Sequence, residues 1–190
     1  MARSKEFEVN EVLDKAMHLF WTQGYEKTSM QDLVEFMGIH RRSIYDTFGD
    51  KHALFMKALE RYETKQTSRM KILIEKQQPI KQLIREMFEF TVRNEGEPLG
   101  CFLVNSGVEL GVLDTEVSCF VGESYARTEE CLTNLVLEGQ QTGEINSDLD
   151  SVVISHYLMN AWLGLRTLVK TTTDQQKIMN IIDMTLSALD

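Results

Sequence analysis

His40, Arg41, Arg42, Ser43, Tyr45, Asp46 and Thr47 share one eight-residue stretch of the chain. They supply cations, hydroxyls, an imidazole and one acceptor. Such a set suits a helix that grips phosphates and reads base edges in a major groove. An arginine fork can bond both O6 and N7 of guanine, worth roughly 1–3 kcal/mol of discrimination. Arg41 and Arg42 are both placed for this, and which reads a base and which a phosphate is open; two solvated surface arginines are the plain alternative. Tyr45 can pack by its ring or reach a phosphate or base edge with its hydroxyl. His40 could donate to a phosphate, and Thr47 could touch a thymine methyl or a phosphate. Asp46 would be repelled by phosphate, so it is read as an acceptor for cytosine or as an orienter of Arg42.

Those side chains need a helix and a rigid frame to aim it. The stretch TSMQDLVEFMGIHRRSIYDTFGDKHALF, from Thr28 to Phe55, supplies both. Thr28 or Ser29 can cap a short second helix, with Gln31 or Asp32 returning the bond. Their backbone N–H groups could also touch phosphate, although capping alone explains them. Gly38 sits where a sharp turn needs positive φ or a close backbone approach. The third helix, about His40 to Phe48, turns Ile44 and Phe48 inward and leaves the polar set outside. Gly49-Asp50 breaks the chain, and Asp50 caps a fourth helix. Lys51 opens that helix, where its ammonium and the positive helix end both attract phosphate.

The first helix is expected over residues 8–23, with Val9, Val12, Leu13, Ala16, Met17 and Phe20 forming one apolar stripe before Gly24. The fourth looks long and turns polar near Lys65–Lys76. Gln77-Gln78-Pro79 is the best boundary between a small N-terminal unit and a larger second one. Further helices are expected over Ile80–Asn94, Cys101–Leu110, Asp114–Thr142, 148–170 and Thr173–Leu189, with EGEPLG and Gly111 as breaks. The helix at 148–170 is apolar nearly all round, so it is expected to be buried on several sides. The fold expected is all-α with about nine helices: a helix-turn-helix unit over residues 1–50, a connecting helix over 51–78 and a larger helical domain over 79–190.

Composition bounds the function. The 190 residues are 43% hydrophobic and 26% charged, with only two prolines, as a globular helical chain would be. Net charge is −9, the wrong sign for binding nucleic acid across the whole surface. Residues 1–60 hold 8 Lys+Arg against 10 Asp+Glu, and residues 61–190 hold 12 against 19, so most excess acid lies away from the basic cluster. A small basic face on an acidic body suits selective contact with a duplex. No apolar run is long enough to span a bilayer, and MARSKEFEVNEV lacks a signal-peptide core, so a cytoplasmic soluble protein is expected. Cys101, Cys119 and Cys131 show no CxxC spacing, so neither disulfides nor zinc are expected, and no cofactor or metal is assigned. Cys101, at the start of the sixth helix, could be a reactive thiol if a cation lies beside it; a buried small hydrophobe is the alternative. No nucleophile elbow, phosphate loop, HExxH or paired carboxylates argue for an enzyme.

The chain resembles the TetR family of bacterial transcriptional regulators. The resemblance is strongest over residues 9–55, where Ile39, Ser43, Ile44, Tyr45, Phe48, Lys51, Leu54 and Phe55 stand at the family's spacing. GCFLVNSGVELG is similar to a sixth-helix sequence common in one branch. The resemblance implies an all-α homodimer that binds double-stranded operator DNA and releases it when a small-molecule effector enters the second domain. Candidates for lining an effector pocket are Met87, Phe88, Phe102, Asn105, Glu109, Phe120, Tyr125, His156, Met159, Asn160 and Trp162, with plain core as the alternative for most. Glu109 in a pocket would favour a cationic ligand. Helices eight and nine supply adjacent apolar faces for dimerisation through Val153, Tyr157, Ala161, Leu165, Ile178, Ile182 and Leu186. The most direct reading is a ligand-released repressor; the net acidity motivates a second, a small-molecule or protein-binding module that does not bind DNA.

Overall fold

The apolar stripe of the first helix buries Val12, Ala16, Met17, Leu19 and Phe20 along α1 (Val9–Gln23). The computed structural model describes residues 7–76, 78–92 and 99–190. Gly24 ends α1 with φ of +86°. In α2 (Met30–Met37), Ser29 and Asp32 form the capping pair: Ser29 Oγ accepts from the Asp32 N–H at 3.1 Å, and the Asp32 carboxylate accepts from the Ser29 N–H at 2.8 Å. Thr28 is fully buried instead, and its hydroxyl donates to the Gly24 carbonyl at 2.6 Å. Gly38 turns the chain in the left-handed region, which delivers α3 (Arg41–Phe48) with Ile44 and Phe48 inward. Asp50 accepts from the Ala53 N–H at 2.8 Å and starts α4 (Lys51–Ile74).

The second half follows as α5 (Ile80–Val92), α6 (Phe102–Leu110), α7 (Thr115–Thr142), α8 (Ser151–Leu168) and α9 (Gln175–Leu186), closed by a 3₁₀ turn at Ser187–Leu189. Aspartates cap three of these: Asp114, Asp150 and Asp174 accept from first-turn N–H groups of α7, α8 and α9. No strand occurs among the described residues, as the all-α reading requires. Arg93 and Asn94 of the expected fifth helix, Gln77 of the expected boundary and most of the EGEPLG break lie outside the described residues.

Buried side chains gather in two clusters. The first joins α1 to α4 with α6 and the start of α7. Its centre is a chain of rings: Phe55 meets Phe20 edge-on at 5.1 Å and Phe102 at 5.6 Å, and Tyr62 meets Phe102 at 5.8 Å and Trp21 at 5.0 Å. Such edge-to-face pairs add to the burial of their area. The second cluster is mainly aliphatic and joins α5, the later half of α7, α8 and α9, with Ile84, Leu132, Val136, Leu158 and Ile182 fully buried. The helix expected to be buried on several sides, α8, buries one face and exposes Val152, Val153 and Tyr157.

Candidate nucleic-acid interface and cavity

The turn at Gly38 and the anchors Ile44 and Phe48 leave one face of α3 to solvent. Arg41, Arg42, Tyr45 and Asp46 are exposed on it, with Ser43 and Thr47 half-buried at its margins. His40 occupies the N-cap position, is exposed and makes no capping bond with its side chain. Arg42 lies 3.5 Å from Asp46, one turn on, the arrangement expected of an orienter. The Arg41 guanidinium sits 5.9 Å from the centre of the Tyr45 ring. Lys51 lies over the Tyr25 ring at 4.2 Å, so its stem is steadied by the first core. Ser29, exposed at the start of α2, uses its oxygen as a cap acceptor and keeps its hydroxyl hydrogen free to donate. Thr28 is a correction: its backbone N–H already donates to the Tyr25 carbonyl at 3.2 Å and the residue is fully buried, so it offers nothing to a phosphate.

Two contacts tie this unit to the second half of the chain. Both Glu109 carboxylate oxygens accept backbone N–H bonds from the α1–α2 connection, from Tyr25 at 3.0 Å and Glu26 at 2.9 Å. Gly24 permits this approach, since a Cβ there would come within 2.9 Å of Glu109 Oε2. His52 Nε2 lies 2.7 Å from the Asp114 carboxylate. The Val117 N–H, aided by His52, holds that carboxyl below its ordinary range.

A cavity of about 700 Å³ opens between α4, α5, α6, α7 and α8, within the size range of small-molecule sites. Its wall from α4 carries Thr64, Thr67, Ser68, Met70 and Ile74. Met87, Leu103, Ser124, Thr128, Trp162 and Arg166 close the other sides. Of the residues expected to line a pocket, Met87 and Trp162 do so.

The others stand elsewhere. Phe102 is locked in the ring chain, Phe120 packs on the first core, and Phe88 and Met159 are filler of the second. Tyr125 sits between the two clusters, and burial pushes its hydroxyl up to about 12. Asn105 donates to the Leu99 carbonyl at 3.0 Å and accepts from Lys170. His156 is an exposed partner of Glu129 at 3.0 Å, and Asn160 faces solvent. Glu109 is spent on the α1–α2 connection, so the argument it gave for a cationic ligand lapses. Of the residues expected to dimerise, Val153 and Tyr157 are exposed, and Ala161 and Leu186 are half-buried. Leu165, Ile178 and Ile182 are corrections, because they are fully committed to the chain's own second core.

Sequence reasoning missed the α4 wall and Arg166. One signal was available: Arg166 is the lone charged residue within the apolar run of α8, and a charge on such a helix needs a reason. The α4 wall had no comparable signal, since its threonines and serine read as a solvated face.

Comparison with known proteins accords with this architecture. The profile described as bacterial regulatory proteins, tetR family, matches residues 12–58. A second, the tetracyclin repressor-like C-terminal domain, matches residues 78–184. The chain is 32% identical to the uncharacterized HTH-type transcriptional regulator YezE of Bacillus subtilis (strain 168), across 100% of both chains. It is 28% identical to the HTH-type transcriptional repressor ComR of Escherichia coli (strain K12), covering 97% of this chain and 90% of that one. Among solved structures, a cysteine mutant of the regulator CifR complexed with 26 bp operator DNA superposes with a TM-score of 0.83 at 23% identity, over 100% of both chains. A regulator from Cytophaga hutchinsonii superposes at 0.86 and 18% identity, over 97% of this chain and 96% of that one. These two likenesses speak to the fold. The chain belongs to the tetR family of bacterial regulatory proteins, which are DNA-binding transcriptional regulators and not enzymes.

Proposed function

We propose that the protein is a cytoplasmic homodimeric repressor that leaves a palindromic operator when a small molecule fills the cavity beside α4. The observation that carries this reading is the reach of one helix. Lys51, at the start of the 24-residue α4, adjoins the recognition helix α3, while residues between Thr64 and Ile74, in its later turns, form a wall of the cavity. A ligand that tilts α4 therefore moves the recognition helices of a dimer relative to each other, and their spacing must match about one turn of DNA. The Glu109 and His52–Asp114 contacts give the α6–α7 segment a second hold on the same unit.

In this reading residues 1–50 read DNA, 51–78 connect and 79–190 bind effector and dimerise. Arg41, Arg42, Tyr45 and Thr47 address base edges or nearby phosphates, while Ser29, His40, Ser43 and Lys51 position the backbone. Val152, Val153 and Tyr157 on α8 and Met184 on α9 support a self-complementary face, because each is an exposed apolar side chain on adjacent helices. The direction of control, repression, is supported by similarity to the transcriptional repressors ComR and DhaR, the latter from Mycobacterium sp. (strain GP1).

Anisotropy titration of a labelled duplex from upstream of the gene, against a scrambled duplex at about 150 mM salt, tests the reading. The upstream duplex should bind at least ~10³-fold more tightly. Of Arg41→Ala and Arg42→Ala, the variant that removes a base contact should cost roughly 10- to 100-fold on the operator alone. The one that removes a phosphate contact should weaken both duplexes alike and flatten the salt dependence. Equal, weak binding to the upstream duplex and to every sequence drawn from a randomised pool would sink the proposal.

A further inference from the structure

Arg166 sits at the floor of the cavity with its guanidinium 4.5 Å from the centre of the Trp162 ring and 2.9 Å from Cys101 Sγ. The other cations on the cavity wall have carboxylate neighbours. Arg127 Nη2 lies 2.6 Å from Glu63, and Lys71 lies 3.9 Å from Glu75. Among the described residues, none of the ion pairs includes Arg166. The hydroxyls nearest in the electrostatic sense do not supply the missing charge. Burial raises Tyr62 well above the ordinary tyrosine range and pushes Tyr125 to about 12, so both phenols stay neutral. Arg166 is half-buried with no carboxylate beside it among the described residues, and a partly desolvated cation gains from an anionic partner. Here the cavity itself gives access to one.

We propose that the effector is an organic anion, a carboxylate carried on an apolar body, whose head group takes the fork of Arg166. The chemistry matches on both sides. A guanidinium offers paired N–H donors in the geometry of a carboxylate, and charge-assisted bidentate pairs are among the strongest polar contacts. Cys101 occupies Nη1 alone, which leaves further N–H donors of the fork. Beyond the head group, Met70, Ile74, Met87, Leu103 and the Trp162 ring form an apolar wall for the body. Thr67, Ser68 and Thr128 add hydroxyls for any further polar group. The sign of the ligand is thus opposite to the one Glu109 suggested from sequence. Placing an anion beside Arg166 also loads the junction of α4, α6 and α8, which is the place from which α4 would be tilted.

This proposal rests on the cavity being the effector site, and the test separates the two. Binding of decanoate and naphthalene-2-acetate would be measured by calorimetry on the full-length protein. The matched neutral and cationic probes are decan-1-ol, decylamine and 2-(naphthalen-2-yl)ethanol. In parallel, each probe would be added to the protein–operator complex and release followed by anisotropy. At least one carboxylate should bind the native protein about tenfold or more tighter than its alcohol and amine counterparts. R166Q should erase that preference while keeping affinity for the alcohol, and R166K should keep part of it. The native-protein comparison needs no variant, so it stands even if R166Q folds poorly. Equal or better binding of alcohol or amine, a preference that survives in R166Q, or no binding of either carboxylate at millimolar concentration overturns the inference. Carboxylate binding without operator release leaves Arg166 as the anion site but overturns its identification as the effector's. Release by a neutral probe alone does the reverse.

Discussion

Phe55 meets the rings of Phe20, Tyr25 and Phe102 inside the first core, and neither Phe55 nor Phe20 is exposed by more than 1%. Around Met87 the same kind of buried packing gives way on one side to about 700 Å³ of open space. The first region fixes α3 relative to α1 and α4, and a helix that must match a groove cannot drift. The second holds its helices together through α5, α8 and α9 but leaves the contact between α4 and α7–α8 incomplete. A packed core resists small displacements and switches between discrete arrangements. An open one can be filled. The molecule separates these two properties by position, and α4 belongs to both.

The contrast can be broken most directly by removing side chains from each region. Phe55→Ala should lower unfolding stability by about 4 kcal/mol, as large-to-small changes in closed cores do. Met70→Ala, on the cavity wall, should cost under about 1 kcal/mol, because a half-exposed wall already lacks partners on one side. Comparable losses in chemical denaturation would mean that the second region is as closed as the first.

A smaller effect is expected where the two regions are joined. Gly24→Ala places a side chain at φ of +86° and drives a Cβ toward Glu109. A loss of roughly 1–3 kcal/mol is expected from the strain, together with weaker DNA binding as the α1–α2 connection shifts. Adding Glu109→Ala to Gly24→Ala should recover part of the loss, since the clash then disappears while the positive φ remains. Full additivity in the double mutant would show that the carboxylate is not the obstacle.

The smallest effect concerns the brace between α1 and α4. Both Arg61 and Lys65 of α4 hold the Asp14 carboxylate, at 2.8 and 2.6 Å, and together they bring its pKa from 3.8 to about 2. A depressed carboxyl stabilises the fold above its ordinary pKa and loses that contribution as pH falls through the depressed value. The stability gap between the native protein and Asp14→Asn should be about 1 kcal/mol or less at neutral pH, given partial solvent screening. It should stay flat from pH 5 to 8 and close between pH 4 and 2. A gap that widens in acid would contradict the assignment.

Legibility from sequence followed the range of the interactions. Capping at Ser29 and Asp50 acts over three residues, and those helix starts were readable for that reason. Gly24 and Gly38 announced their turns because positive φ is a local demand. The stripe on α1 told which face is buried but not against what, and Phe102, read as either pocket lining or core, is core against Phe55 and Tyr62. Leu165, Ile178 and Ile182 failed in the same way: an apolar face on α8 or α9 is used by the chain before any partner copy can use it. Glu109 reaches an N–H 84 positions away in sequence, and no local pattern encodes such a pair. The cavity is a property of five helices at once, so of its lining only Met87 and Trp162 were readable in advance.

The two tryptophans fall one to each region. Trp21 donates its indole N–H to the Leu99 carbonyl against the first core, and Trp162 donates to the Thr91 hydroxyl at the edge of the cavity with Arg166 over its ring. Their emission therefore forms two optical channels built into the native chain. Filling the cavity should perturb the fluorescence of Trp162, while seating α3 on a duplex should leave it nearly constant. Single tryptophan-to-phenylalanine variants would resolve the channels, so the order of ligand entry and DNA departure can be followed in time without attaching a dye.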